Sequence, residues 1–209
     1  MRSKFLAEFS GGTALLLSVV GSSFMAAQLT TDAALALLIN ALVTAAVLAI
    51  IIKSFQKLSG AHFNPAVTVA LIIKGEFRWR EFPAYFVAQT CGAILGVVIA
   101  NSMFADSLFV LSQNNRSNYQ NWIGEVVATA GLIALALLAK SEMAWKLIPL
   151  WIFSAYFFTS STSFANPAVT IARSFTSAPA GIAPQSIFVF ISLQTLAAVS
   201  IALLTKEKK

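Results

Sequence analysis

The stretch SGAHFNPAVTVALIIK, Ser59 to Lys74, comes back late in the chain as TSFANPAVTIARSF, Thr162 to Phe175. Asn64-Pro65-Ala66-Val67-Thr68-Val69-Ala70 and Asn166-Pro167-Ala168-Val169-Thr170-Ile171-Ala172 differ only in Val69 against Ile171. Asn is a preferred helix N-cap, and Pro suits a first turn because its missing N–H would find no partner there. Each motif therefore predicts the start of a helix. The apolar run behind it is short: about ten residues rise about 15 Å, half of the roughly 30 Å hydrocarbon core of a bilayer.

Outward from these motifs the chain is too apolar for water. Of its 209 residues 58% are hydrophobic and 11% charged, with a mean hydropathy of +0.80. A spanning helix needs about 20 mainly apolar residues, and six runs stand out: Phe5–Ala27, Ala33–Ile52, Phe82–Met103, Trp122–Ala139, a shorter Leu147–Ser160, and Ser186–Leu204. The predicted fold is an all-α membrane protein, one transmembrane domain over 1–209, with six transmembrane helices and two re-entrant half-helices. No small-residue cleavage site followed by a polar region trails the first run, which argues against a secretory signal.

Charge gives an orientation. Arg2, Lys4, Lys53, Lys57, Lys74, Arg78, Arg80, Lys140, Lys146, Lys206, Lys208 and Lys209 fall on one side of the predicted spans, and only Arg116 and Arg173 on the other. Basic loops stay in the cytoplasm, so both termini of a multi-pass plasma-membrane protein are expected there, with Lys206-Glu207-Lys208-Lys209 as a solvated tail. The net charge of +6 is thereby accounted for without nucleic acid. Cys91 is the one cysteine and His62 the one histidine, which removes an intramolecular disulfide and a multi-histidine metal site. With no nucleotide-binding glycine loop, Ser/His/Asp set or paired carboxylates, neither an enzyme nor a cofactor is expected.

Residues of about 5–103 and about 122–205 read as two copies. Glu8 opens the first and Glu125 the second, and AQTCGA (Ala88–Ala93) answers LQTLAA (Leu193–Ala198), pairing Gln89 with Gln194. An odd number of spans per copy inverts one copy relative to the other. The half-helices then enter from opposite faces and meet N-terminus to N-terminus. Irregular backbone at that depth survives only where it is buried or lines a wet cavity, so water is expected between the two turns. Both half-helix dipoles present their positive ends to it, opposing a cation or a proton on a water chain.

The Asn64 and Asn166 amides are placed to donate to a passing oxygen. Glu8 and Glu125 invite two readings, proton coupling or acceptance of hydrogen bonds from the irregular backbone before each half-helix. Gln89 and Gln194 are expected to bridge backbone groups beside the half-helices. His62 either lines the inner pore, with a pH-sensing role, or hydrogen-bonds within the turn. Gly92 and Gly96 predict close helix packing without saying against which helix.

Taken together, SGAHFNPAVT, the second Asn-Pro-Ala, the early glutamate of each half and the paired glutamines resemble the aquaporin and glycerol-facilitator family, the major intrinsic proteins. The resemblance covers nearly the whole chain. It implies an aquaporin-like right-handed bundle built as an inverted repeat, a pore through each subunit lined by Asn64, Pro65, Ala66, Asn166, Pro167 and Ala168, and a homotetramer in the lipid bilayer. The function it implies is passive conduction of water and small neutral solutes.

Where that family usually sets selectivity, the chain departs. The second motif commonly runs Asn-Pro-Ala-Arg, but Val169 stands in the arginine's place and Arg173-Ser174-Phe175 follows as though four residues had been inserted. Four residues add one helical turn and about 6 Å. Arg173 is expected to keep its azimuth from further out, either reaching back to the constriction or staying in the outer vestibule. Counting back from the two asparagines puts Thr44 and Ser154 at the other filter positions, or Phe153 if the second lead-in carries one more residue. Thr44 has a second use, returning its hydroxyl to its own helix. Thr44, Ser154, Val169 and Arg173 together predict a filter open to glycerol, urea, hydrogen peroxide or metalloid hydroxides as well as water. Two rival functions share the fold: a proton-coupled secondary transporter, and a closed structural membrane protein.

Overall fold

In the structure, a computed structural model, residues 1–105 and 107–206 are described; the expected tail beyond Lys206 lies outside them. The chain forms α1 (Arg2–Leu29), α2 (Ala33–Ser59), α3 (Pro65–Lys74), α4 (Phe82–Phe104), α5 (Tyr119–Leu138), α6 (Ser141–Phe158), α7 (Pro167–Ala172) and α8 (Pro184–Leu204). No strand occurs among the described residues. Six helices are long and two, α3 and α7, are half-helices. Five of the long ones have both the length and the apolarity of a span; α6, at 18 residues, is long enough but carries Ser141, Glu142 and Lys146 and is less apolar.

α6 also corrects the sequence reading, beginning at Ser141 rather than Leu147. Ser141 and Glu142 are polar, yet they line the mouth of an internal cavity, so helix continues past the point where apolarity stops. α2 likewise runs beyond Ile52 to Ser59, where Gly60 closes it in the left-handed conformation at φ 91°. The turns between α1 and α2 and between α5 and α6 are short, as expected of antiparallel neighbours.

Between helices in lipid there is no hydrophobic driving force, so packing depends on close approach of small residues. Gly92 and Gly96 supply it inside the subunit: a Cβ at Gly92 would lie 2.2 Å from Phe9 O, and one at Gly96 2.4 Å from Thr13 O. α1 and α4 therefore touch backbone to backbone. Each half-helix crosses to the other half for its neighbour, α3 packing on α8 and α7 on α4. The buried face of α3, Ala66, Val67 and Ala70, meets Ile133 of α5 and Ala198 and Ala202 of α8.

Candidate functional site

The site is built where α3 and α7 begin. Asn64 and Asn166 are the N-caps, with extended φ of −155° and −161°, and their Oδ1 atoms accept from Ala66 N and Ala168 N while Pro65 and Pro167 fill the first turn. The amide nitrogens cross between halves: Asn64 Nδ2 donates to Ala165 O and Asn166 Nδ2 to Phe63 O, each at 2.8 Å. An amide carries two hydrogens, so each asparagine keeps one to present to the cavity that both line.

The backbone leading into these caps is strained. Ala61, Phe63, Thr162, Ser163 and Ala165 have φ between 47° and 58°, a region that costs non-glycine residues about 1–2 kcal/mol each. All five lie in the two lead-ins. Glu8, fully buried, accepts from His62 N at 3.0 Å, Phe63 N at 2.7 Å, Ser59 Oγ at 2.6 Å and Gln89 Nε2 at 2.7 Å. Glu125, equally buried, accepts from Phe164 N at 3.3 Å, Ala165 N, and Gln194 Nε2 at 2.6 Å. The same glutamines donate to the half-helix threonines, Gln89 to Thr68 and Gln194 to Thr170. Each carboxylate thus holds a loop that would otherwise leave donors unpaired in an apolar interior.

His62 lines the cavity, with Nδ1 3.1 Å from Thr68 Oγ1 and its ring against Phe77 and Tyr85. Thr68 spends its one proton on Asn64 O, so Nδ1 is the donor toward Thr68, which fixes the ring by a hydrogen bond within the turn.

A cavity of about 640 Å³ runs from the face carrying the termini, where Lys53, Lys57, Glu76 and Glu142 ring its mouth, past both asparagines to Arg173. Its walls are helical stripes: Thr44, Leu48 and Ile52 on α2 face Ile148, Ile152 and Tyr156 on α6. A second cavity of about 230 Å³ opens on the opposite face and is lined by Asn40, Arg116, Thr162, Arg173 and mostly small apolar residues. Arg173 is common to both linings.

At that junction α7 ends at Ala172 and the chain tightens into a 3-10 turn, Arg173–Phe175, so Arg173 does not continue an α-helix outward. Its side chain is 1% exposed. Nε donates to Ala180 O, and the guanidinium carbon sits 3.4 Å from the Phe164 ring centroid. Val169 lines the larger cavity beneath it. Thr44 is buried and lies beside the Tyr156 hydroxyl in the cavity wall, the two oxygens 3.4 Å apart.

Ser154 is elsewhere. It is exposed on α6 and donates to Leu150 O of its own helix, and Phe153 lines neither cavity. Counting back from Asn166 fails because α6 ends at Phe158, further from its asparagine than Ser59 is from Asn64. Two residues along a helix turn the side chain by about 200°, so Ser154 and Tyr156 face opposite ways. Tyr156, Phe164 and Arg116 were not singled out as site residues by the sequence. The i, i+4, i+8 spacing of Ile148, Ile152 and Tyr156 was the available signal for the first.

The family model described as "Major intrinsic protein" matches residues 1–192. The protein named Aquaglyceroporin AqpS from Rhizobium meliloti (strain 1021) is 42% identical over 198 residues, which is 93% of this chain and 84% of that relative. The Glycerol uptake facilitator protein of Bacillus subtilis (strain 168) is 57% identical over a 42-residue stretch, 20% of this chain and 15% of its own. Among solved structures, the aquaglyceroporin from Plasmodium falciparum superposes with a TM-score of 0.73 at 19% identity, over 97% of this chain and 93% of the other, a likeness of fold.

Proposed function

The chain belongs to the major intrinsic protein family, and on that premise we propose that its passage carries water and small uncharged solutes such as glycerol down their gradients while excluding ions and protons. It is a channel and not an enzyme. The observation that carries the reading is the continuous 640 Å³ cavity that passes both asparagine caps and stops at Arg173.

Selection follows from what the cavity offers. One free hydrogen on each of the Asn64 and Asn166 amides replaces part of a solute's hydration, and the two half-helix N-termini beside them repel cations. Above them stand Val169, Thr44, Tyr156 and Arg173. An arginine in the place of Val169 would project into the passage. Arg173, laid against Phe164 and tied to Ala180 O, is held at the wall. This supports a filter with one apolar side and hydroxyl donors on the other, suited to glycerol, urea, hydrogen peroxide and neutral metalloid hydroxides. Glu8 and Glu125 act as anchors of the strained lead-ins, since their oxygens are occupied by backbone and amide donors, and neither lines the cavity.

The protein is a multi-pass membrane protein. The concentration of Lys and Arg on the side of the termini supports an orientation with both termini in the cytoplasm of the plasma membrane, and the family supports a homotetramer.

Stopped-flow light scattering on proteoliposomes tests the reading. Shrinkage under an impermeant osmolyte and re-swelling under glycerol are both expected to exceed the rates of empty vesicles. Water flux without glycerol flux would mean that Arg173 closes the filter, and no gain in either would leave a transporter or a closed structural protein.

A further inference from the structure

The smaller cavity, on the face away from the termini, carries a second guanidinium. Arg116 comes from the segment between α4 and α5, and three hydrogen bonds fix it there. Its backbone N–H donates to Ser186 Oγ at 3.0 Å, Nε to Gly181 O and Nη1 to Ser161 O, both at 3.2 Å. Its guanidinium carbon lies 4.9 Å from the centroid of Phe164, the ring that also carries Arg173 at 3.4 Å. Both arginines line the 230 Å³ vestibule.

Neither arginine has a carboxylate at ion-pair distance among the described residues. Among the described residues the vestibule lining holds no acid; its other polar members are Ser23, Asn40 and Thr162. The observed hydrogen bonds use Nε and Nη1 of Arg116 and Nε of Arg173. Arg116 Nη2 and both Nη atoms of Arg173 have no protein partner among the described residues. Two like charges beside one aromatic ring repel each other, and walls of alanine, leucine and proline weaken the screening that water would supply. An anion between them removes that repulsion. Guanidinium forks match the planar or tetrahedral oxygens of an oxyanion in bidentate geometry, and a volume of 230 Å³ is several times the roughly 30 Å³ share of one water.

We propose that this vestibule is a binding site for a small soluble oxyanion, a carboxylate or an oxyacid anion, held between Arg116 and Arg173 and obstructing the passage of neutral solutes while bound. The obstruction rests on the channel reading; the binding does not. Every solute crossing from this face must pass Arg173, so an anion seated on it stands in the path.

Two measurements test it, with inorganic phosphate as the probe. The first is calorimetric titration of the full chain in maltoside detergent, which has no phosphate headgroup of its own. Saturable binding is expected, weakened by about tenfold in Arg116→Gln through loss of one charge-assisted pair. The second is glycerol flux into proteoliposomes with phosphate on both sides, each variant compared with itself in chloride of equal ionic strength. Phosphate is expected to slow the wild type and to slow Arg116→Gln less. If Arg116→Gln does not reconstitute, Arg116→Lys keeps the charge without the fork, and a several-fold weaker block is expected. No binding by the wild type, or binding and block unchanged in the variants, would overturn the site. Absence of both glycerol and water flux would count against the channel reading and leave the titration to decide the vestibule.

Discussion

Leu71 and Arg173 occupy the same step of the two half-helices, seven residues after Asn64 and Asn166, and both line the main cavity. In the first half α3 runs through this step to Lys74, where Gly75 in the left-handed conformation closes it. In the second, α7 gives way to a 3-10 turn at the arginine. Up to Val67 and Val169 the halves match, in capping, crossed amide bonds, strained lead-in and anchoring glutamate. The difference begins one turn later, on the side away from the termini. The inverted repeat thus fixes the middle of the passage by symmetry and leaves its two ends free to diverge, one toward an apolar funnel with a charged rim, the other toward a guanidinium on an aromatic ring.

The largest effect expected from disturbing this match lies at the carboxylates. Glu125→Ala leaves Phe164 N–H, Ala165 N–H and one hydrogen of the Gln194 amide without an acceptor, and Glu8→Ala orphans Ser59 O–H, His62 N–H, Phe63 N–H and one hydrogen of the Gln89 amide. Each unpaired buried donor costs about 1–3 kcal/mol. Neither variant is expected to give monodisperse protein in size-exclusion chromatography at the wild-type yield, with Glu8→Ala the worse. Glu→Gln variants keep one acceptor and should be intermediate. If Glu125→Gln folded normally but lost a proton-gradient dependence of uptake, the second-half carboxylate would be a proton carrier and the two halves would no longer be equivalent.

The second test concerns helix approach. Gly92 of α4 corresponds to Ala197 of α8 in the AQTCGA and LQTLAA match, and in the first half Gly92 lies against the backbone of Phe9. Gly92→Ala forces a methyl to within 2.2 Å of Phe9 O, so α1 and α4 must separate, at a cost of about 1–3 kcal/mol. The mirror change, Ala197→Gly, removes a buried methyl and should cost about 1 kcal/mol. Thermal unfolding in detergent compares them; equal shifts would mean that the glycine contact is not what sets the α1–α4 distance.

How much of this was legible in the sequence follows the same division. The half-helix starts, their caps and the two anchoring glutamates depend on short local motifs, and Asn64, Pro65 and Glu8 could be read with their partners Asn166, Pro167 and Glu125 because the repeat states each twice. Gln89 and Gln194 could be paired, but they donate to the glutamate and threonine side chains and not to backbone groups as expected. α6 and the filter depend on helical phase across an irregular loop, and phase is lost wherever loop lengths differ. Thr44 lies on a helix that runs almost to its lead-in, and it lines the cavity. Ser154 lies behind a longer lead-in, and the count landed on the lipid side of α6. Arg173 was placed one α-helical turn further out, but a 3-10 turn and the acceptor at Ala180 decide where its guanidinium rests, and neither leaves a trace in the motif.

The third test puts an arginine where the family pattern usually has one. Val169→Arg places a second guanidinium in the passage beneath Arg173, and a glycerol-sized solute must then displace water from it without replacing all its bonds. Glycerol flux is expected to fall by about tenfold or more relative to water, the rejection typical of a site that loses pairing. Val67→Arg, the mirror change, sits toward the wide mouth and should slow both fluxes by a similar factor. A selective loss in both variants would show that either valine can set the filter, and the asymmetry drawn between the halves would fail.

The smallest effect, and the one that most sharply isolates the unmatched end, is expected at Tyr156. Its ring fills the wall that α6 presents to the passage, and its hydroxyl stands 3.4 Å from Thr44 Oγ1, so it contributes both width and polarity. Tyr156→Phe keeps the width and removes the hydroxyl; a solute that was hydrogen-bonded there loses one partner, worth about 0.5–1.5 kcal/mol, and glycerol flux should fall by about a few-fold with water flux little changed. Tyr156→Ala removes both and opens the passage beside Arg173, so a polyol larger than glycerol should gain flux. The two variants move glycerol selectivity in opposite directions only if size and hydrogen bonding are separately set by this residue. Parallel changes in both would place the narrowest point elsewhere, at Val169 and Arg173 alone, and α6 would then be a wall of the pore without a part in its choice of solute.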